Sequence, residues 1–190
     1  LGSGGFTNRM MEEVRAERGL AYWALARWSS EWDHNGIFVA ASATKSKTTA
    51  TTIQAMLDVM EDFLKGGVGQ KEFQEGLNRM TRAEVFQVDT PGEVLDQAAD
   101  LRFHDYPWNF HNQLARATLQ LTPASVLAAA RRHLDLSHLL LFVMGNPTEF
   151  ESSLEQFGAV TAWLDEPLRA SIPGPTAQPL EVEQGKLLAR

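Results

Sequence analysis

Alternation is sharpest between Leu20 and Glu31, where Tyr22, Ala24, Ala26 and Trp28, continued by Ser30 and Trp32, share one face by the two-residue period of a strand. Ile37 to Thr44 reads as its antiparallel partner, and Asp33-His34-Asn35-Gly36 between them supplies residues that tolerate turn geometry. The period then changes. From about Thr49 to Lys65 the positions Ile53, Met56, Leu57, Met60, Phe63 and Leu64 follow helical spacing on one stripe, which Gly66-Gly67 ends. Gln70 to about Val88 predicts a second long helix with Phe73, Leu77 and Met80 inward. Thr90 with Glu93 makes a capping box and Pro91 takes the tolerated first position, so a third helix runs to about Phe103. Past the break at His104-Asp105-Tyr106-Pro107, Trp108 to Leu119 is helical, and Thr122-Pro123 starts another helix with Val126, Leu127 and Ala130 inward.

The last third differs. His138 to Met144 is a continuous apolar run closed by Gly145-Asn146-Pro147, the pattern of a strand buried on both faces. Thr148 and Glu151 predict a capping box for a helix to about Phe157, with Gly158 as its stop and Ala159 to Leu164 as a short strand. Beyond Glu166 the prolines at 167, 173, 175 and 179 forbid regular helix, so residues 166–190 are expected to form a Pro-rich extended arm. The order of elements predicts an α+β fold, a largely antiparallel sheet with helices packed on one side.

With 190 residues and 44% apolar content the chain supports one domain with a real core, placed at residues 1–165. A net charge of −7 and the lack of any Lys/Arg run argue against nucleic acid or an anionic membrane as the main partner. Without cysteine there is neither disulfide nor thiolate metal site, and bacterial cytoplasm and periplasm stay equally compatible. No run of eighteen apolar residues occurs.

The opening carries the chemistry. Thr7 and Asn8 are good N-caps for a helix from about Arg9 to Arg18, and Gly19 suits the left-handed conformation that ends it. An Arg near the end of that helix and a Tyr at the strand start would then converge on one point. Gly2 to Gly5 lacks the Lys-Ser/Thr ending of a phosphate-binding loop and reads as a loop near a substrate. Gly4, Gly5 and Phe6 are candidate substrate contacts, as is Trp28 further on, although core packing is the commoner fate of such a tryptophan.

This loop, helix and R-x6-Y spacing from Arg15 to Tyr22 resembles the non-zinc half of the pitrilysin/insulinase-type zinc peptidases, which include the mitochondrial processing peptidases. The pattern of Leu101 to Leu134 around Tyr106-Pro107-Trp108 and Thr122-Pro123, and the run Leu139 to Gly145, resembles the rest of that C-terminal domain. The resemblance implies a processing-peptidase-like α/β roll. Such a roll opens with a further strand and helix of about forty residues, so the chain is expected to be N-terminally truncated. Core left exposed there predicts instability or a homo-oligomer through the exposed sheet surface, unless a neighbouring chain covers it.

Active halves of the family carry H-x-x-E-H, in which two histidines bind zinc and the glutamate activates water. His34, His104, His111, His133 and His138 do not form that pattern, and His104, Asp105 and His111 read as loop and cap residues rather than a metal set. The resemblance therefore implies no metal in this chain, zinc in a partner half on the same polypeptide or a second subunit, and no hydrolysis by this chain alone. Arg15 and Tyr22 match the pair that reaches a peptide substrate from the inactive side, orienting it and stabilising its oxyanion. Arg18 competes with Arg15, but its spacing to Tyr22 is wrong. Two other functions suit the same fold, a non-catalytic structural subunit and a module that captures peptides without cutting them.

Overall fold

Two strands form where the alternation is strongest. In the structure, a computed structural model that describes residues 9–29, 31–33, 35–85 and 90–162, β1 (Ala21–Trp28) pairs antiparallel with β2 (Phe38–Thr44). β1 is shorter than the alternation predicts, because Trp32 lies in a bend beyond it. The connection closes where Ser29 N–H donates to the Ile37 carbonyl at 2.9 Å and Ile37 N–H to Ser29 Oγ at 2.8 Å. Gly36 is required there, since a Cβ would lie 1.9 Å from the Ser29 carbonyl oxygen. Trp32 anchors this loop by stacking on His104 with centroids 5.5 Å apart, and it also meets Tyr106, Phe110 and His111.

Helices follow as α1 (Thr49–Gly66), α2 (Gln70–Val85), α3 (Pro91–Phe103), α4 (Phe110–Thr118) and α5 (Pro123–His133). The capping box of Thr90 and Glu93 forms as predicted, and α5 starts with a box of its own between Thr122 and Ser125. Together with the hairpin they make the α+β class expected. The chain divides into two compact units, Leu1–Ser153 and Leu154–Arg190, and these strands and helices lie in the first. The described part of the second holds a 3-10 turn, Leu154–Phe157. The boundary expected near residue 165 and the arm 166–190 lie outside the described residues.

The core sits where α1 crosses the hairpin. Met10, Val14, Ala24, Ala26, Ala55, Val59 and Met60 are buried together, with Leu20, Ala21, Phe38, Ala40 and Leu139 packed against them. The large apolar stripe read on α1 is only partly the buried face. Thr52, Ala55 and Val59 occupy its centre, because small side chains let the helix approach the alanine face of β1 closely. Ala55 has no exposed surface, so a larger residue there would overpack the site.

Both ends of α1 are held by side chains from far along the chain. Thr48 gives its N-terminus no side-chain cap. Glu151 does so instead, accepting from Thr51 N–H at 2.7 Å. At the other end Arg131 donates to the carbonyls of Leu64 (2.8 Å) and Lys65 (3.1 Å), and Arg9 to that of Gly67 (2.8 Å). Arg9 also grips both carboxylate oxygens of Glu72 on α2, at 2.9 and 2.6 Å, and lies over the Phe63 ring.

Three expectations fail in the last third. His138 to Met144 is not a strand, because among the described residues no second strand pairs its backbone, and an apolar run alone cannot satisfy those groups as a sheet. It keeps an extended alternation, with Leu140, Phe142 and Met144 fully out and Leu141 and Val143 half-covered. The box of Thr148 and Glu151 does not form, since Glu151 is committed to α1 and Asn146 accepts from Thr148 N–H at 3.2 Å; 3-10 turns, Pro147–Glu149 and Leu154–Phe157, stand in for the helix. Residues 159–162 are not a strand either, and 163–164 lie outside the described residues.

Replacing Arg9 by Ala leaves Glu72 half-buried and unpaired, with an expected cost of about 1–3 kcal/mol in urea unfolding; Arg9→Lys recovers only part of it, having no fork. Glu151 tests the N-terminal hold through pH. Burial raises its carboxyl, but hydrogen bonds from Thr51 and neighbouring backbone outweigh that and leave it below the usual 4.5. A depressed carboxyl stabilises above its unfolded value and loses that contribution as pH falls. Glu151→Ala should therefore melt lower than wild type at pH 7, and the gap should close as pH drops through and below 4.5.

Candidate functional site

The segment expected as an α-helix from Arg9 to Arg18 begins as one at Arg9 and Met10, then widens into a π-helix, Met11–Glu17. Arg18 N–H reaches back five residues to the Glu13 carbonyl (3.1 Å), while Leu20 N–H, beyond the end of the element, caps that of Val14 (3.0 Å). Such turns carry one residue more than α geometry and recur at functional sites. Gly19 closes the element with φ +61°, the left-handed conformation read for it. Met10 and Val14 anchor the inner side, and Arg15 faces outward.

β1 begins with a second irregularity. Ala21 pairs with Thr44, yet Trp23 pairs with Ala43, so β1 advances two residues while β2 advances one. Tyr22 is the extra residue of this bulge. Bulges re-aim side chains, and here Ala21 packs on the core while Tyr22 is 79% exposed. Tyr22 thus leaves the face of Ala24 and Ala26 on which strict alternation puts it. Among the described residues Arg15 makes no ion pair, and its guanidinium carbon stands 5.5 Å from the Tyr22 ring centroid. At an exposed site such a contact contributes about 0.5–1 kcal/mol. An open groove of about 340 Å³ lined by Met11, Glu12, Arg15 and Ala16 adjoins it. Arg18, the competitor, is committed elsewhere, donating to Asp58 Oδ2 on α1 at 3.2 Å.

The pair can present forked N–H donors and a phenolic O–H to one acceptor, such as an amide carbonyl. Trp28 lies elsewhere, half-buried at the far end of β1 against Phe38 (5.0 Å) and His133 (6.4 Å). Gly4, Gly5 and Phe6 lie outside the described residues. The bulge is what the sequence did not disclose, since register belongs to two strands and has no local signature.

Two other clusters invite chemistry. His104 stacks on the Trp32 ring and His111 meets it at right angles, and among the described residues no three His, Cys, Asp or Glu side chains come together to hold a metal. Asp135, Ser137 and His138 imitate a hydrolytic triad. However, His138 Nδ1 contacts both Ser137 Oγ (3.0 Å) and Asp135 Oδ2 (2.7 Å), whereas a relay needs opposite ring nitrogens. The hydroxyl and backbone N–H of Ser137, then His138, hold the Asp135 carboxyl down at about 2, as suits a turn-capping residue.

Three comparisons with known proteins agree. Residues 1–80 match the family model of the peptidase M16 inactive domain. The non-peptidase homolog YmxG of Helicobacter pylori is 22% identical over 144 residues, which are 75% of this chain and 33% of that protein. A crystal structure of a peptidase M16 inactive domain from Pseudomonas fluorescens matches with a TM-score of 0.61 and 27% identity, covering 71% of this chain and 32% of that one. The chain spans about a third of the length of both relatives. These findings bear out the family resemblance and the α+β class.

Proposed function

We propose that this chain, a member of the peptidase M16 inactive-domain family, is the substrate-orienting side of a two-sided peptidase. The observation that carries it is the Arg15 guanidinium standing over the exposed ring of Tyr22. Arg15 donates to a carbonyl of a bound peptide and fixes its direction. Tyr22 donates its phenolic O–H to the oxygen that gains negative charge as the scissile carbon becomes tetrahedral. Among the described residues β1 pairs only with β2, and because Ala24 N–H is taken by Met11 Sδ at 3.3 Å, a peptide added as a strand there would have to displace that contact to lie beside Tyr22.

The partner is a second half, on the same polypeptide or another subunit, and the zinc of such an enzyme belongs there. Nothing among the described residues of this chain fits a metal, so no step here runs through one. A second reading, a non-catalytic structural or peptide-binding subunit, is favoured by the similarity to a non-peptidase homolog.

In peptide hydrolysis by the native protein with its zinc-bearing half, Arg15→Ala and Tyr22→Phe should each lower kcat/KM by an amount worth about 1–3 kcal/mol of transition-state stabilisation. Arg18→Ala should keep turnover. Absence of cleavage by wild type with zinc supplied would sink the peptidase reading in favour of the second.

A further inference from the structure

A bulge interrupts the ladder and leaves backbone groups to be satisfied by other means. Here β2 supplies hydroxyls for that purpose. Thr44 Oγ1 donates to the Leu20 carbonyl at 2.6 Å, and Ser42 Oγ donates to the Trp23 carbonyl at 3.0 Å, so the carbonyls on either side of Ala21-Tyr22 are both held. Thr44 is itself tied to α1. Thr48 Oγ1 lies 2.8 Å from its hydroxyl oxygen, and Thr52, only 2% exposed, lies 3.0 Å from it.

The direction of this chain follows from proton counting. A carbonyl only accepts, so the one hydrogen of Thr44 goes to Leu20 and its oxygen accepts from Thr48; by the same count the one hydrogen of Thr52 goes to the Thr48 carbonyl at 2.7 Å, which fixes Thr48 against the first turn of α1. The network runs from the buried start of α1 to the residue two before Tyr22.

We propose that Thr44 is a positioning residue for the Arg15–Tyr22 pair, locking the bulge that turns the Tyr22 ring out of the helix-facing side of the sheet and under the guanidinium. Without its hydroxyl the Leu20 carbonyl loses its partner, and β1 gains by slipping into a regular ladder. A slip of one residue exchanges the two faces. Tyr22 would then point with Ala24 and Ala26 toward α1, away from Arg15. The geometric part stands on its own, and the consequence for turnover rests on the function proposed above.

The test compares Thr44→Val, nearly the same shape without the hydroxyl, with Thr44→Ser, which restores it. Proton NMR on the tyrosine-labelled chain, with the Tyr22 signal identified by its loss in Tyr22→Phe, reads the cross-peak between the Tyr22 ring and the Arg15 side chain. Peptide hydrolysis by the native protein is the second readout. Loss of the cross-peak and a fall in kcat/KM of about 10-fold or more in Thr44→Val, both restored in Thr44→Ser, is the expected result. A retained cross-peak in Thr44→Val overturns the proposal, as does full turnover in that variant where Arg15→Ala and Tyr22→Phe lose it. If those two variants keep full turnover, the proposed function fails, and the cross-peak alone decides the positioning. If Thr44→Val does not fold, Ser42→Ala takes its place, where an unweakened cross-peak overturns the lock.

Discussion

Helix α1 needs its ends satisfied from outside, and the first unit is arranged around meeting that need. A helix leaves four N–H groups and four carbonyls orphaned, with partial charges of opposite sign at its two ends. Here a carboxylate from Glu151 meets the positive end, and guanidinium groups from Arg131 and Arg9 meet the negative end. These contacts join residues 100, 67 and 58 positions apart, so they bind the start and the last third of the unit to one strut. Each is worth little alone in contact with water, about 0.3–1 kcal/mol for the dipole part. Their importance lies in fixing where α1 stands, because its small-residue face has to meet the alanines of β1 closely.

From that placement the candidate site follows. Met10 and Val14 press on the same buried cluster as Val59 and Met60, so the π-helix is held against α1 by its inner side and its outer side is left to Arg15. Thr52 on α1 reaches Thr44, and through it the start of β1. Arg15 and Tyr22 are therefore exposed and touch little, while the backbone beneath them is tied to the most buried part of the fold. That combination keeps a donor pair available to a ligand without letting it wander, which is what preorganised donors require.

Much of this was legible in the sequence wherever the signal was local. The helix from Thr49, the Thr90 and Thr122 starts and the hairpin emerged from periodicity and turn residues, and Gly19 correctly implied that Arg15 and Tyr22 converge. What depends on distant partners was not legible. Leu139 to Met144 has the composition of a strand but gets no ladder among the described residues. Glu151 looked like a local cap and serves a helix a hundred positions earlier. Arg9 gave no hint of its grip on Glu72, because a lone arginine at a helix start resembles any surface charge.

Both members of the Arg15 and Tyr22 pair sit at a place where the chain holds one residue more than its regular element needs, the π-helix on one side of Gly19 and the bulge on the other. The information that brings them together is thus partly a matter of count rather than of kind. Deleting one residue from Met11–Glu17 would turn everything after it by about 100° around the helix while leaving almost every amino acid unchanged. Substitution tolerance and indel tolerance are therefore decoupled in this short stretch. The length between Val14 and Ala24 therefore carries as much of the pair's geometry as the arginine and the tyrosine themselves.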